Sequence, residues 1–306
     1  MSILALDVGG THVRSAWVCE GVLKGDQRVR ADLKGLTSAA GQDAEPKLLE
    51  TLVAHIRERF SEGSATAVAL GMPGFIDGEG TISASPNLVG IRDFPLQQLL
   101  TDALKLPVIV ANDALCAARG AWLGESPRPR SLAIITLGTG VGGGLILDGR
   151  PVTGDGGTAM EIGHLLMVPN GHPCGCGKRG CLEQYASAAA LARLDTLDGS
   201  ERRGGKALAQ AAEEGEVKAK KLFHDAGTYL GRAAAALVLL VDVRTIRFGG
   251  GLSRSWNLLE KAFHYTLSAD LIPPLRGRID VAPIPSDKID QIGLIGAADL
   301  AGLEPR

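Results

Sequence analysis

The sequence predicts an α/β protein built from two domains, and three observations support this prediction. Apolar, strand-like runs meet glycine-rich turns at three places in the chain. Helical runs fill the intervals between these strands. The chain has 306 residues, of which 45% are hydrophobic, and this length exceeds the size at which one core usually keeps growing.

Two of the three glycine turns are predicted to join hairpin strands. Residues 2–8 form an apolar strand that ends at Gly9-Gly10-Thr11, and residues 12–19 begin its partner. Residues 132–137 repeat this plan and turn at residues 138–144. Because glycine has no side chain, the turn backbone can approach an anion closely and donate its N–H groups.

The third glycine run, residues 249–251, follows a strand predicted at residues 244–248 and precedes a helix. Taken singly, each run is weak evidence, since a glycine hairpin is usually only a turn. Three such runs in one chain indicate a repeated nucleotide-binding scaffold.

A pair of polar residues follows the strand predicted at residues 107–110. Asn112 and Asp113 stand between the end of this strand and a helix predicted from Ala114. Open α/β sheets bind ligands at this edge, whereas Asn or Asp before a helix usually serves as its N-cap. We predict that one of the pair caps the helix and that the other faces a ligand.

The segment from Glu161 to Glu183 holds a dense cluster of metal-binding residue types. Its glycines suit a tight knuckle that curls around an ion. Disulfide partners and ordinary small core residues are the alternatives; against disulfides, the total of five cysteines is odd and no secretory signal is evident before them. A histidine and three cysteines supply the ligands of a tetrahedral zinc site: His164, Cys174, Cys176 and Cys181.

Four protein ligands leave no open position on the zinc, so the ion is predicted to be structural. Glu161 and Glu183 bracket the site and remain available to a polar ligand, because carboxylates accept hydrogen bonds. His164 can bind zinc through one ring nitrogen and offer the other to a ligand or a neighbouring carboxylate.

The composition argues against nucleic acid and membrane partners. The formal net charge is −2 and aromatic residues make up 4% of the chain, so the sequence predicts no broad basic surface and no row of base-stacking platforms. No uncharged apolar run reaches the roughly 18 residues of a membrane span. We therefore expect a protein of a reducing cytoplasm.

These motifs occur in the order seen in the ROK family (repressor, open reading frame, kinase) of sugar kinases, and the chain resembles that family from residue 3 to nearly its end. The segment from Cys181 to Ser187 further resembles ROK glucokinases. The resemblance rests on Asp7-x-Gly9-Gly10-Thr11, Asn112-Asp113, Gly138-Thr139-Gly140-x-Gly142-Gly143-Gly144, Glu161-x-Gly163-His164 and Cys174-x-Cys176-Gly177-x-x-Gly180-Cys181-x-Glu183.

The resemblance implies an actin-like ATPase-domain (ribonuclease H-like) fold, with two α/β domains and a cleft between them. The smaller domain would contain residues 1–115 plus about 293–306, and the larger domain residues 116–292 with the zinc knuckle. Family kinases use ATP with Mg²⁺ to phosphorylate a hexose at the 6-hydroxyl. Glucose is the expected substrate; the alternatives are fructose, N-acetylglucosamine, N-acetylmannosamine and allose.

The resemblance also assigns roles to residues. Asp113 is the expected catalytic base, because phosphoryl transfer requires removal of the hydroxyl proton, and Asp7 would approach the magnesium through water. The expected sugar contacts are Asn87, Asn112, Asp113, Glu161, His164 and Glu183, with a turn-forming role as the alternative for Asn87. The expected nucleotide contacts are Asp7, Gly9, Gly10, Thr11, His12, Gly138, Thr139, Gly140, Gly142, Gly143, Gly249 and Gly250.

Two positions depart from the family pattern. Many relatives carry lysine where this chain has His12, and glycine is frequent where it has Met160. Some ROK proteins are sugar-responsive repressors with an N-terminal helix-turn-helix, but the first glycine turn here begins at residue 9, so we expect a kinase instead. Family precedent further suggests a homodimer.

Overall fold

A computed structural model describes residues 2–196, 199 and 201–302. The chain divides into two compact units. Unit 1 contains the chain up to Arg128, the segment Arg150–Ala159 and the chain from Asp290 onward. Unit 2 contains Pro129–Gly149 and Met160–Ile289.

Strands and helices alternate along most of the described chain. The strands are β1 Ser2–Val8, β2 His12–Cys19, β3 Val22–Arg30, β4 Ala67–Met72, β5 Phe75–Ile76, β6 Ile82–Ala84, β7 Arg92–Phe94, β8 Val108–Asn112, β9 Ser131–Leu137, β10 Val141–Leu147, β11 Arg150–Pro151, β12 Thr245–Gly249 and β13 Asp280–Pro283. The α-helices are α1 Leu33–Ala40, α2 Ala44–Phe60, α3 Leu96–Leu104, α4 Asp113–Leu123, α5 Glu183–Ala186, α6 Ala188–Asp195, α7 Gly205–Glu213, α8 Val217–Val241, α9 Trp256–Asp270 and α10 Ile292–Leu300.

The central sheet of unit 1 has the strand order β3-β2-β1-β4-β8. β1 and β2 form the predicted hairpin with the predicted bounds, and β1, β4 and β8 are parallel. Side chains of β1 alternate between two cores. Leu4 and Leu6 pack among the buried residues of α1 to α3, while Ala5 packs against Leu294 and Ala298 of α10.

Helix α4 belongs to unit 1, so the domain boundary predicted between residues 115 and 116 falls inside a helix. The physical reason is the close approach of α4 to α10. A Cβ on Gly120 would overlap the carbonyl oxygen of Ile292, and a Cβ on Gly296 would overlap that of Cys116. The backbones of the two helices are therefore in contact, and α4 belongs to the same unit as α10.

The segment Arg150–Ala159 also returns to unit 1, whereas the predicted larger domain included it. Gly157 has a φ of 71°, and its Cα lies so close to Ile76 that a Cβ would overlap the Ile76 carbonyl oxygen. The two units are consequently of similar length rather than small and large. Residues 303–306 of the predicted smaller domain lie outside the described residues.

Unit 2 is organised around strands in the order β10-β9-β12-β13. β9 and β10 form the second predicted hairpin, and β12 is parallel to both β9 and β13. Helices α8 and α9 touch through Gly227 and Gly231, where a Cβ would crowd the α9 backbone. Within the described ranges, no helix combines the length and apolarity needed to cross a membrane.

The second glycine turn is shorter than the predicted span of residues 138–144. β10 begins at Val141, so Gly142 and Gly143 are paired with Thr136 and Ile135 of β9. A Cβ on Gly143 would overlap the carbonyl oxygen of Met160. Gly143 therefore serves a close packing contact of the strand, and neither glycine forms the tip of the turn.

Replacing Gly120 by alanine is expected to destabilise unit 1 by roughly 1–3 kcal/mol, because the new methyl group overpacks the α4–α10 contact. On an exposed helix face, the same Gly→Ala change would increase the free energy of unfolding by about 1 kcal/mol. Gly124→Ala, at the C-cap of the same helix, is the control, since its Cβ would lie 3.4 Å from the nearest atom. Denaturant unfolding measures the free energy of unfolding of both variants, and equal values for the two would contradict the prediction.

Candidate active site

Three predicted site residues of unit 1 lie at the carboxyl ends of parallel strands in one sheet. The register places Asp7 of β1, Gly71 of β4 and Ala111 of β8 in one row, which spans about 10 Å at the usual strand spacing. Asn112 ends β8 and Asp113 begins α4. The sheet therefore presents two carboxylates, Asp7 and Asp113, at the same edge.

Asn112 is the residue of the Asn-Asp pair that caps α4. Its Oδ1 accepts from the N–H groups of Ala114 at 2.9 Å and Leu115 at 3.1 Å, while its Nδ2 donates to the Gly74 carbonyl at 3.0 Å. Asp113 is exposed, and its Oδ1 accepts from the Ala114 N–H at 2.8 Å. The cap thus fixes the start of α4, and Asp113 offers its carboxylate at the surface of unit 1.

Asp7 is partly buried beside the start of α10. A Cβ on Gly293 would stand 3.7 Å from the Asp7 carboxylate, so this position leaves space there. Burial raises the pKa of Asp7, while the neighbouring Arg14 lowers it. Arg14 is fixed by Asp26 and by the Asp290 backbone carbonyl, to which its Nη1 donates at 2.6 Å.

The first glycine turn is closed by the Gly9 N–H, which donates to the His12 carbonyl at 2.8 Å. The Thr11 Oγ1 lies 3.0 Å from the His12 Nδ1. Lys34 of α1, which the sequence analysis did not identify, donates its backbone N–H to the Gly10 carbonyl at 2.8 Å and has an exposed side chain. The Lys34 Cβ would lie 3.5 Å from a Cβ on Gly10, so this cationic side chain begins beside the turn.

Asn87 lies in an exposed turn that is also close to the first glycine turn. The hydroxyl of Ser85 accepts from the Leu88 N–H at 3.2 Å and donates to the Pro73 carbonyl at 2.9 Å. The Asn87 carbonyl would lie 4.0 Å from a Cβ on Gly10. The turn-forming alternative for Asn87 therefore fits its backbone, and its exposed side chain still permits a sugar contact.

Unit 2 brings the second and third glycine runs together. Gly249 pairs with Thr136 of β9, and Gly250 has a φ of 82°. A Cβ on Gly250 would lie 2.5–2.9 Å from Leu137 backbone atoms, which is closer than non-bonded atoms approach, so only glycine fits. Gly138, Thr139 and Gly140 form the tip between β9 and β10, next to this contact.

Four predicted metal ligands converge in unit 2. The donor atoms of His164, Cys174, Cys176 and Cys181 all lie within 4.8 Å of one another. The Cys176 and Cys181 sulfurs are 3.7 Å apart, and the Cys174 sulfur is 3.6 Å from the His164 Nδ1. Tetrahedral zinc with bonds of about 2.3 Å to sulfur and 2.0–2.1 Å to nitrogen requires edges of about 3.8 Å and 3.6 Å. The donor set and its spacing therefore fit a zinc ion.

The backbone of the knuckle explains its glycines. Gly177 and Gly180 have φ values of 88° and 80°, which favour glycine. The Gly177 N–H donates to the Cys174 carbonyl at 3.0 Å, which closes the turn that contains Cys174 and Cys176. Burial is the main cause that raises the pKa of Cys174 and Cys181, so release of their protons must accompany metal binding.

Glu161 lies on the outer side of His164. Its Oε2 is 3.8 Å from the His164 Nε2, while the Nδ1 of the same ring faces Cys174. This arrangement resembles the carboxylate–histidine–metal relay of many zinc sites. Burial first, and then the charge of Glu183, raises the pKa of Glu161 to about 7.

Glu183 lies against the second glycine turn. Its Oε2 accepts from the Val141 N–H at 3.0 Å. A Cβ on Gly140 would overlap the same oxygen. The carboxylate that the sequence analysis assigned to a sugar thus has a bond to the hairpin, and Val141 is a site residue that the motif pattern did not reveal.

Met160, which precedes Glu161, has a φ of 67°. This left-handed conformation costs roughly 1–2 kcal/mol for a residue with a Cβ. The frequent glycine of the family at this position has a physical explanation, because glycine adopts the conformation without strain.

The ROK family profile matches residues 3–303 of the chain. The chain belongs to the ROK family. Among ROK proteins, it is 34% identical over 288 residues to a glucokinase of Halalkalibacterium halodurans, which covers 88% of this chain and 86% of the relative. It is 32% identical over 260 residues to an N-acetylmannosamine kinase of Yersinia pseudotuberculosis, which covers 84% of this chain and 86% of that protein.

A crystal structure of a ROK family glucokinase from Streptomyces griseus, in complex with glucose and AMPPNP, matches this fold with a TM-score of 0.83. The two proteins are 30% identical, and the match covers 99% of each chain. The predicted actin-like α/β fold class is thereby confirmed.

The raised pKa of Glu161 predicts a pH-dependent stability. Since its folded-state pKa of about 7 exceeds the ordinary glutamate value of 4.5, the folded state binds the extra proton between these values, and stability falls as the pH rises through this range. Glu161→Gln is therefore expected to raise the Tm of chelator-treated protein at pH 8. Allowing for partial exposure, the gain is about 1 kcal/mol, or about 2–4 °C.

Thermal melts of both proteins at pH 4.5 and pH 8 provide the measurement. The advantage of the variant is expected to become small at pH 4.5, where Glu161 is protonated in the folded state and about half protonated in the unfolded chain. A constant difference at the two pH values would contradict the prediction.

Proposed function

We propose that this protein is an ATP-dependent hexose kinase that transfers a phosphoryl group to the 6-hydroxyl of glucose. The observation that carries this proposal is the placement of Asp7 and Asp113 at the carboxyl edge of one parallel sheet in unit 1. Phosphoryl transfer needs a group that receives the hydroxyl proton and a site for the metal that accompanies ATP. Membership of the ROK family and the glucokinase relatives support the same activity.

Asp113 is proposed as the general base. Its exposed carboxylate can receive the proton of a sugar hydroxyl, and its bond to the Ala114 N–H orients it. A positioned base of this kind contributes typically ~10²–10⁴-fold in rate. Asn112 would hold a neighbouring sugar hydroxyl through the amide hydrogen that Gly74 does not use.

The nucleotide is proposed to bind the glycine turns. In unit 1, the N–H groups of Gly9, Gly10 and Thr11 and the nearby His12 and Lys34 would meet phosphate oxygens, and Asp7 would hold a water on Mg²⁺. Bound Mg²⁺ neutralises charge on the phosphate oxygens. In unit 2 the proposed contacts are Gly138, Thr139 and Gly140 for phosphate and Gly249 and Gly250 for adenosine, with Gly142 and Gly143 supporting the turn.

The proposed sugar contacts are Asn87, Asn112, Asp113, Glu161, His164 and Glu183. Glucose offers several hydroxyl donors, which suit two carboxylates. N-acetylmannosamine is a second candidate, because a kinase of that sugar matches the chain almost as well as the glucokinase does.

We further propose that His164, Cys174, Cys176 and Cys181 hold a structural Zn²⁺ ion, on the strength of their spacing. All five cysteines are free thiols, which suits a reducing cytoplasm. The proposal includes a role in the first step of glucose breakdown and a homodimeric state, the latter on family precedent alone.

The kinase proposal predicts that glucose gives the highest kcat/KM in a coupled ATP-consumption assay with a panel of hexoses. Asp113→Asn is expected to lower kcat by roughly 10²–10⁴-fold, with an unchanged melting temperature. Asp102→Asn is the matched control, since this surface carboxylate of α3 only accepts a bond from Gln98. Activity on N-acetylmannosamine without activity on glucose would overturn the substrate assignment, and full activity of Asp113→Asn would overturn the base.

The zinc proposal predicts one zinc ion per chain by elemental analysis. Cys176→Ser is expected to lose the ion and melt several degrees lower, because metal binding contributes to folding free energy. Cys19→Ser, at a thiol of β2 that contacts Ser2, should keep both the ion and the melting temperature. Unchanged stability after complete removal of the metal would refute the structural role.

A further inference from the structure

Val141 is the residue at which both ends of the knuckle sequence meet the second glycine turn. Its N–H donates to Glu183, which stands two positions after the ligand Cys181. On the other side, Gly163, which directly precedes the ligand His164, lies so close that a Cβ would overlap the Val141 carbonyl oxygen. The N–H and the C=O of one residue are thus both in contact with neighbours of metal ligands.

Two further contacts hold the same hairpin. The Ala188 N–H donates to the Gly138 carbonyl at 2.9 Å, at the start of the turn. Gly143 of β10 packs against the Met160 carbonyl. Both ends of the turn are therefore fixed by the two segments that supply His164 and Cys181.

We propose that Glu183 is a positioning residue for the nucleotide, and that it transmits the order of the metal knuckle to the turn Gly138–Gly140. This inference rests on the nucleotide-binding role proposed above for that turn. Its physical basis is preorganisation: a turn already held in its bound conformation loses less conformational freedom when a phosphate binds. Nucleotide affinity then depends on Glu183 and on the bound metal, although neither contacts the nucleotide.

The acceptor atom of Glu183, and not its charge, must provide this effect. A carboxylate beside a phosphate-binding turn repels the polyanion, so its charge alone would weaken nucleotide binding. The bond from Val141 restrains the turn, and a neutral acceptor at the same place would do so equally well. The other carboxylate oxygen can accept a sugar hydroxyl, so the positioning role is compatible with a sugar contact.

The test measures the Kd of a non-hydrolysable ATP analogue with Mg²⁺ by calorimetry, without any sugar, so that sugar contacts do not enter. Glu183→Ala removes the acceptor and is expected to weaken binding about five- to tenfold, the usual effect of one lost hydrogen bond. Glu183→Gln keeps an acceptor oxygen and is expected to stay within about twofold of the unmodified protein. Glu214→Ala is the matched control, because this exposed carboxylate accepts a bond from Gln210 of α7 and has no proposed role in the site; its Kd is expected to be unchanged.

A second measurement tests the link to the metal. Chelation is expected to weaken analogue binding by the unmodified protein to a similar extent, and to weaken Glu183→Ala little further, since two changes on one route are not additive. Hydrogen exchange of the Val141 amide, measured without ligand, is expected to accelerate in Glu183→Ala but not in Glu183→Gln. This readout monitors the turn directly and also shows whether each variant is folded.

The outcomes separate this inference from the proposed function. If the unmodified protein does not bind the analogue, the nucleotide role of the turn is wrong. If it binds the analogue and Glu183→Ala binds equally well, Glu183 does not position the turn. If Glu183→Gln is as weak as Glu183→Ala, charge matters instead of the acceptor, and the proposal is overturned. If chelation and Glu183→Ala weaken analogue binding by fully additive amounts, the inferred link between the metal and the turn is wrong.

Discussion

The site in unit 2 depends on contacts between backbone atoms, and these contacts exist because glycine stands at particular positions. Gly163 lies against the Val141 carbonyl, Gly143 against Met160, and Gly250 against Leu137. Any side chain at these positions would separate the hairpin from the knuckle or from β12. Interiors are close-packed and yield little to an added methyl group, so the metal ligands and both glycine runs keep their neighbours only while these glycines are present.

The site residues of unit 1 have a different requirement, because charged groups must be held at the edge of a sheet. Asn112 satisfies two amides at the start of α4, and Arg14 offsets the carboxylate of Asp7 while Asp26 and Asp290 hold the guanidinium in place. A half-buried carboxylate without such a partner would shift further towards its neutral form. The site residues of unit 1 are therefore stabilised by compensating charges and caps, whereas those of unit 2 are held by close packing of the backbone.

Local sequence patterns predicted much of the fold and of the candidate site. The bounds of β1 and β2, both hairpins and the four clustered metal-binding residues followed from residue spacing, because hairpins and knuckles are made by neighbours in sequence. The pairing of Asp7 with Arg14 could also have been predicted, since a turn at Gly9–His12 fixes the register of the two strands. The contacts of Lys34 with Gly10, and of Glu183 with Val141, join segments far apart in sequence, and no periodicity encodes them. The glycines of residues 138–144 predict one long turn, since glycine is depleted in strands, but Gly142 and Gly143 pair with β9, and Gly143 packs against Met160.

The contact between α4 and α10 has a consequence for the order of events during synthesis. Asp113 begins a helix whose backbone rests on residues 292–300, and these are translated only after the whole of unit 2. Chains fold domain by domain as they emerge from the ribosome, yet unit 1 cannot finish folding until its last helix is available. The nascent protein can complete its metal knuckle first, and the proposed catalytic carboxylate reaches its final place only when the C-terminal segment of unit 1 has been made.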